Sequence, residues 1–321
     1  MINTNFFLPK NNKAGLFDDA TYNVPGIFLF SKLIYKFLDI VFYKTGYTVP
    51  IKYMYGSPNS KWNNGRLILN HYDSDFSLKG IEKEIINSLN RKITPLLTFS
   101  NIYITKEELK DQQCNTILKI LNEVGGGVIV TNELLFDYIS NKYPKIPIHA
   151  SVIKTTYATN RNVSFYKSLS QKYNYYVIHP DDNFNDDILK KIPKKNAEII
   201  LNERCHINCP LRKLHYETIS KEQISMSNNN YISFNFLSKC SSIPEKKQQK
   251  TQMRNTSLTI KETKQMYNMG FKLFKLQGRT DDPSIVFFDL MRYTLENDII
   301  FPTIYPIFSY YIQDYKRGIF K

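Results

Sequence analysis

The chain has 321 residues, of which 42% are hydrophobic and 22% are charged. These proportions are typical of a folded globular protein and argue against an intrinsically disordered chain. The formal net charge of +14 favours a polyanionic partner. However, the basic residues are scattered and not gathered in one run, which indicates a lysine-rich solvated surface.

Residues 1 to 47 are predicted to form an N-terminal helical extension. No apolar core followed by a small-residue cleavage site is present, so a secretory signal is not expected. The most apolar segment, residues 26 to 46, contains Lys32, Lys36 and Asp39 at helical spacing, which predicts an amphipathic helix and not a membrane span. This segment is a candidate contact surface for a partner protein or a second copy of the chain. The scarcity of cysteines predicts a reducing, cytoplasmic location.

From about residue 48 onward, short β-rich runs alternate with helix-like mixtures of polar and apolar residues. The runs are "VPIKYMYG" (49 to 56), "ITPLLTFS" (93 to 100), "GGVIVT" (126 to 131), "IPIHASV" (146 to 152), "YYVIHP" (175 to 180), "AEIILN" (197 to 202), "FKLFKLQG" (271 to 278) and "IIFPTIYP" (299 to 306). Helices are predicted over 80 to 91, 106 to 123, 132 to 143, 162 to 173, 183 to 192, 259 to 269 and 283 to 297.

This alternation predicts a (β/α)8 TIM-like barrel over residues 48 to 306, followed by a basic C-terminal tail over 307 to 321. An open doubly wound sheet is the alternative. No glycine-rich dinucleotide fingerprint follows the first run, which favours the barrel.

A barrel places its active site at the C-terminal ends of its strands, and polar residues recur at those ends. The candidate substrate-binding residues are Asn101, Asn132, Ser151, Asn202 and Arg279. Each one alone is explained equally well as a helix N-cap or a turn residue. Their recurrence from strand to strand is the stronger indication of a site.

The segment "LNERCHINCPLRKLHY" (201 to 216) follows the predicted sixth strand and begins an insertion over about 203 to 258. The candidate metal ligands in this insertion are Cys205, Cys209, Cys240 and His215. Thiolates close together on a loop suit an iron-sulfur cluster or zinc. A cysteine nucleophile with a histidine base, a redox disulfide and reduced cysteines without a ligand are the alternatives, of which the metal site is favoured.

Three of these features, in this order, resemble the collagenase-like (U32) peptidase family. They are "EIILNERCHINC" (198 to 209), Cys240 and "GFKLFKLQGR" (270 to 279), and the resemblance covers roughly residues 48 to 305. It implies a TIM barrel that holds a 4Fe-4S cluster and modifies RNA or a small anionic metabolite, for example by hydroxylation, in place of proteolysis.

The cluster ligands that the resemblance implies are Cys205, Cys209 and Cys240. This chain departs from the family pattern because the first two cysteines are closer together and no fourth cysteine follows Cys240. His215 would complete the ligand set, or one iron would stay open for substrate, or no cluster would be present.

Lys275 and Arg279 form a basic pair on the strand that ends at the barrel mouth. The alternation of the strand predicts that Lys275 faces the barrel interior, where it would bind a carboxylate or phosphate group or pair with Glu198 or Glu203. His215, Lys275 and Arg279 are the candidate catalytic residues. A zinc-bearing or metal-free hydrolase or sugar-modifying enzyme and a non-catalytic RNA-binding module are the alternative functions.

Overall fold

The computed structural model describes residues 13 to 64, 76 to 228, 230, 232 to 234, 256 to 278 and 282 to 319. Eight parallel strands close into a barrel in chain order, and β8 pairs with β1. The strands are β1 Thr21–Pro25, β2 Ile51–Gly56, β3 Thr94–Phe99, β4 Gly127–Val130, β5 Ile148–Ala150, β6 Tyr175–Val177, β7 Ala197–Ile200 and β8 Leu273–Lys275. The predicted (β/α)8 TIM-like barrel is therefore confirmed.

Helices surround the strands and cover the barrel. They are α1 Ser31–Thr45, α2 Leu78–Asn90, α3 Gln112–Val124, α4 Glu133–Lys142, α5 Val152–Tyr157, α6 Val163–Lys172, α7 Asp186–Lys191, α8 Arg212–Ser227, α9 Ile260–Asn268, α10 Pro283–Thr294 and α11 Tyr305–Lys316. A capping box begins α9, since Thr259 and Glu262 hydrogen bond to each other's backbone. No described helix is long and apolar enough to cross a membrane.

The first strand of the barrel was not predicted, and it corrects the proposed N-terminal extension. Residues 21 to 25 pair with both β2 and β8 and close the barrel, so residues 21 to 45 form its first strand and helix. The strand "TYNVP" is short and carries a polar Asn23 inside the barrel, where its amide donates to Glu198. A five-residue strand with an inward polar side chain and a proline lacks the β-rich pattern on which the prediction depended.

The predicted strand over residues 299 to 306 is wrong, because this segment is helical. Asn297–Ile299, a π-helical turn at Ile300–Ile304 and α11 follow one another. Buried Ile300, Ile304, Phe308 and Ile312 recur every four residues, which is helical spacing, whereas an apolar run alone does not distinguish a strand from a buried helix. The predicted basic tail is thus largely a helix.

The C-terminal helix α11 packs on α1 and α10. The ring of Phe308 lies 5.4 Å from Phe37 and 4.8 Å from Phe287, measured between ring centroids. Most apolar residues of α1 are consequently buried inside this chain, while Phe42 and Tyr43 remain exposed. A partner contact through residues 26 to 46 stays a prediction.

Candidate active site at the barrel mouth

Helix α8 packs across the C-terminal mouth of the barrel, where the strands end. The backbone carbonyl of Ser220 accepts a hydrogen bond from Asn101 Nδ2 at 3.1 Å. Gln223 Nε2 donates to the carbonyl of Ser60 at 3.0 Å. Tyr216 and Ile219 pack against Ile153 in a separate apolar cluster. These contacts tie α8 to the loops after β2 and β3 and to α5, which follows β5, so α8 covers the mouth. Helix α9 then leads into β8.

A cavity of about 70 Å³ lies between α8 and the barrel interior. Its lining residues are Tyr55, Asn64, Thr98, Ser100, Ile129, Ser151, Val152, Ile153, Tyr216, Ile219, Lys275, Gln277 and Gly278. One water needs roughly 10 to 15 Å³ when volume is measured in this way, so the cavity accommodates several water-sized groups. It is a small, mixed polar and apolar chamber at the face where TIM-barrel enzymes carry their active sites.

A buried lysine provides the cationic group of this cavity. Lys275 is 7% exposed, and its Nζ lies 3.1 Å from Glu198 Oε2. The ammonium also lies over the ring of Tyr55, 4.4 Å from the ring centroid. The predicted inward orientation of Lys275 is confirmed, and the ion pair with Glu198 that the sequence suggested is present. Because an ammonium has three N–H donors, the bond to Glu198 uses one third of its donor capacity.

Asn64 supplies a hydrogen-bond acceptor to the cavity, whereas Lys275 supplies a donor. Asn64 was not singled out from the sequence. Its Nδ2 donates to the Tyr216 carbonyl at 3.4 Å and to the Ser220 hydroxyl. Its Oδ1 is buried and has no hydrogen-bond partner within the described part of the chain. Asparagine in the stretch "WNNG" is typical of a turn, so its burial depends on the docking of α8, which the sequence did not reveal.

Four of the predicted substrate-binding residues lie in the described part of the chain, and of these four Ser151 lines the cavity. Its hydroxyl accepts a hydrogen bond from the Ile153 backbone at 3.1 Å and caps α5. Ser151 is therefore a helix N-cap at the wall of the cavity, and its role in substrate binding stays a prediction. Arg279, the other predicted anion-binding residue at this strand end, lies outside the described residues.

The other three predicted residues make bonds within the chain. Asn132 caps α4, where its Oδ1 accepts from the Leu135 backbone. Asn202 joins β7 to β8 by exchanging two hydrogen bonds with the Gln277 backbone, at 2.7 and 3.0 Å. Asn101 is fully buried and donates to the carbonyls of Ser220 and Asn63. These amides hold the mouth together, and their role in substrate binding stays a prediction.

The cysteine loop follows β7, which is the seventh strand and not the predicted sixth. Cys205 and Cys209 hydrogen bond to each other, and this bond, with burial, raises the pKa of the Cys205 thiol well above its usual value. Asn208 has φ of 53° in the left-handed region, which asparagine tolerates. The Thr256 backbone N–H donates to the Cys205 carbonyl at 3.0 Å. The chain therefore returns from the insertion to this loop.

Arg212, at the start of α8, joins the cysteine loop to the neighbouring loop after β6. This buried guanidinium lies 3.3 Å from Asp181 Oδ1 and 3.5 Å from Glu203 Oε2, and it donates to the His206 carbonyl at 3.1 Å. Glu203 also accepts from Gln277 Nε2 at 2.9 Å. Because Gln277 lines the cavity, the cysteine loop and the cavity share one hydrogen-bonded wall.

His215 lies in the first turn of α8, with its ring parallel to that of Tyr216 at 5.8 Å between centroids. No group of three or more histidine, cysteine or acidic residues that could hold a metal occurs in the described part of the chain. Cys205, Cys209 and His215 thus do not form such a group by themselves. Cys240, the third predicted cysteine ligand, lies outside the described residues.

No family model and no curated protein sequence matches this chain. Among solved structures, the U32 peptidase Mk0906 is similar to it, with a TM-score of 0.51 and 9% sequence identity over 84% of this chain and 97% of that chain. An HpcH/HpaI aldolase from Desulfitobacterium hafniense DCB-2 matches with a TM-score of 0.31 and 9% identity, covering 85% of this chain and 90% of that chain. The chain is a TIM-barrel protein whose fold resembles that of a U32 peptidase, and at this identity the likeness concerns the fold alone.

Proposed function

We propose that the protein is a TIM-barrel enzyme that binds and modifies a small anionic metabolite beneath α8. The observation that carries this proposal is the buried ammonium of Lys275 at the cavity on the C-terminal side of the barrel. A buried cation that is held in place stabilises negative charge on a ligand, including charge that develops during a reaction. Lys275 would bind the anionic group, as predicted from the sequence.

The size of the cavity favours a metabolite over RNA. Pockets for drug-sized ligands typically measure about 300 Å³ or more, whereas this cavity, as bounded by the described residues, measures about 70 Å³. In addition, α8 covers the mouth with Tyr216 and Ile219. A polymer would therefore require α8 to leave the mouth, whereas a small anion fits beneath this helix.

The proposal is tested by ligand binding to variants of two lysines near β8. Removing Lys275 alone would leave Glu198 buried without its cation, so the variant is Lys275→Met combined with Glu198→Gln, which retains an acceptor for Asn23. The control is Lys272→Met, which removes an exposed lysine that pairs with Asp19. A panel of small carboxylates and phosphates is screened by thermal shift, since a ligand of the native state raises the melting temperature.

We expect at least one anion to stabilise the wild type and the Lys272→Met protein, and to lose its effect on the double variant. Equal stabilisation of all three proteins would contradict a binding role for Lys275. No stabilisation of the wild type by any small anion would contradict the proposed function.

We also propose that Cys205 and Cys209, together with Cys240, hold a metal ion or a 4Fe-4S cluster beside the cavity. Two thiols in contact are soft donors suited to an iron-sulfur cluster or zinc. The chain that follows the insertion returns to this loop, since the Thr256 backbone N–H donates a hydrogen bond to the Cys205 carbonyl. When bound, a cluster would supply one-electron transfer. Glu203, whose Oε1 accepts from the Cys205 backbone at 3.0 Å, would position the loop.

Metal and acid-labile sulfide analysis after purification without oxygen tests this second proposal. The wild type is compared with Cys205→Ser and with the control Cys114→Ala, since Cys114 is buried in α3 away from the loop. Iron and sulfide in the wild type and the control, but not in Cys205→Ser, would support a cluster. Stoichiometric zinc would favour the zinc-bearing alternative, and protein without either metal would contradict the proposal.

A further inference from the structure

We propose that Asn64 selects the substrate class of the mouth cavity, favouring small carboxylates that carry a hydroxyl or amino group next to the anionic group. This inference rests on the proposed function, since it assumes that Lys275 binds the anionic group. Asn64 adds a requirement that charge alone does not impose, namely a hydrogen-bond donor on the ligand.

The orientation of the Asn64 amide is set by its partners. A backbone carbonyl only accepts hydrogen bonds, so the amide nitrogen and not the oxygen must face the Tyr216 carbonyl, at 3.4 Å. The Ser220 hydroxyl accepts from the same nitrogen. The oxygen is consequently turned away from α8 on a residue that lines the cavity and is 1% exposed.

The unpartnered oxygen implies a missing donor. Buried polar groups in native proteins are almost always hydrogen bonded, and leaving one without a partner is costly. Asn64 Oδ1 has no hydrogen-bond partner among the residues that the structure describes. A hydroxyl or ammonium group of a ligand would satisfy it, whereas a plain carboxylate offers only acceptors and would leave it unsatisfied.

The two groups together define a small bifunctional ligand. Lys275 is a donor that attracts an anion, and Asn64 is an acceptor that attracts O–H or N–H, and both line the same cavity. A volume of about 70 Å³ holds roughly five to seven water-sized groups. Hydroxy-carboxylates and amino-carboxylates of two or three carbons have this size and this combination of groups.

Matched pairs of ligands isolate the contribution of the donor. Lactate is compared with propionate, glycolate with acetate, and alanine serves as the amino-carboxylate, all by calorimetric titration of the full chain at fixed ionic strength. We expect lactate and glycolate to bind about tenfold or more tightly than their partners without the hydroxyl, because the hydroxyl satisfies a buried acceptor.

Two variants separate recognition from the anchoring of α8. Asn64→Leu removes the acceptor and the bond to Ser220, so the preference for lactate over propionate should fall to near unity while propionate still binds. Ser220→Ala removes that same bond but leaves the Asn64 oxygen, so the preference should persist.

The outcomes distinguish this inference from the function on which it rests. Equal affinity of the wild type for lactate and propionate, or an unchanged preference in Asn64→Leu, would overturn the role of Asn64 and leave the anion site intact. If none of these carboxylates and no phosphate bound to the wild type, the proposed function and this inference would both fail.

Discussion

Two lysines lie over tyrosine rings at opposite ends of the barrel, in very different surroundings. Lys52, near the N-terminal end, is exposed, and its Nζ lies 4.9 Å from the ring centroid of Tyr175. Lys275, at the C-terminal end, is buried, and its Nζ lies 4.4 Å from the ring centroid of Tyr55. A lysine over a tyrosine ring is therefore exposed to solvent at the N-terminal end of the barrel and buried beside a cavity at the C-terminal end.

The packing around the two lysines explains this difference. At the N-terminal end, His149 fills the barrel between Tyr53 and Tyr175, with ring centroids 5.1 and 4.9 Å away. At the C-terminal end the strands open onto a cavity that α8 covers. The filled end can contribute to stability, whereas the cavity lies at the mouth, where TIM-barrel enzymes carry their active sites.

The largest effect is expected from Lys275→Met alone. This change leaves Glu198 buried with only the Asn23 amide as its described partner, and breaking a buried ion pair in this way costs about 3 to 5 kcal/mol. Urea denaturation would measure the loss. Combining the change with Glu198→Gln should recover most of it, and a single variant as stable as the wild type would show that the pair is not effectively buried.

The filled end of the barrel predicts a dependence on pH. Burial, together with the charges of Lys275 and Lys52, lowers the pKa of His149 from 6.5 to about 3. The folded protein therefore keeps this histidine neutral, while the unfolded chain binds a proton as the pH falls below 6.5. The free energy of unfolding is fully retained above that pH and decreases as the pH falls towards 3.

The His149→Leu variant measures this contribution directly. Between pH 7.5 and pH 5 the wild type should lose about 2 kcal/mol more than the variant, since each pH unit below the unfolded pKa costs about 1.4 kcal/mol. Urea denaturation at both pH values gives the difference, in which the carboxylates common to both proteins cancel. Identical losses would mean that His149 is charged in the folded state. Anion binding at the mouth should be unaffected.

Sequence patterns predicted most of the barrel, because its repeating unit has a strong periodic signature. Seven predicted strands coincide with β2 to β8, and Lys275 was correctly placed inside by alternation along its strand. The strand that was missed and the strand that was wrongly predicted both depend on tertiary context. Asn23 is inside the barrel because Glu198 bonds to it, and residues 299 to 306 are helical because they pack as part of the C-terminal layer.

The site was harder to predict than the fold. Polar residues at strand ends were located correctly, but Asn101, Asn132 and Asn202 bond to the backbone of neighbouring loops, and no local pattern separates such a role from ligand binding. The cavity exists because α8 crosses the mouth. That helix is polar and only weakly amphipathic, so its sequence does not indicate which face is buried.

A moderate effect is expected from loosening α8 at the mouth. Gln223→Ala removes the bond to the Ser60 carbonyl at one end of the helix and should cost about 1 kcal/mol. If α8 opens locally, the opening free energies of its amides, measured by hydrogen exchange, should lie below those of the strands in both proteins and should fall by this amount in the variant. Equal opening free energies for α8 and the strands would instead mean that α8 opens only when the whole domain unfolds.

The smallest effect is expected at the exposed lysine. Lys52 Nζ lies 2.5 Å from the Tyr175 hydroxyl, and although burial acts to raise the pKa of Tyr175, the bonds from Lys52 and Tyr53 lower it overall. Lys52→Met should raise that pKa and shift one tyrosine in a spectrophotometric titration to higher pH. Stability should change by less than about 1 kcal/mol, because an exposed cation over a ring contributes little. A loss as large as that of Lys275→Met would show that the two ends of the barrel do not differ in how strongly they depend on their lysine.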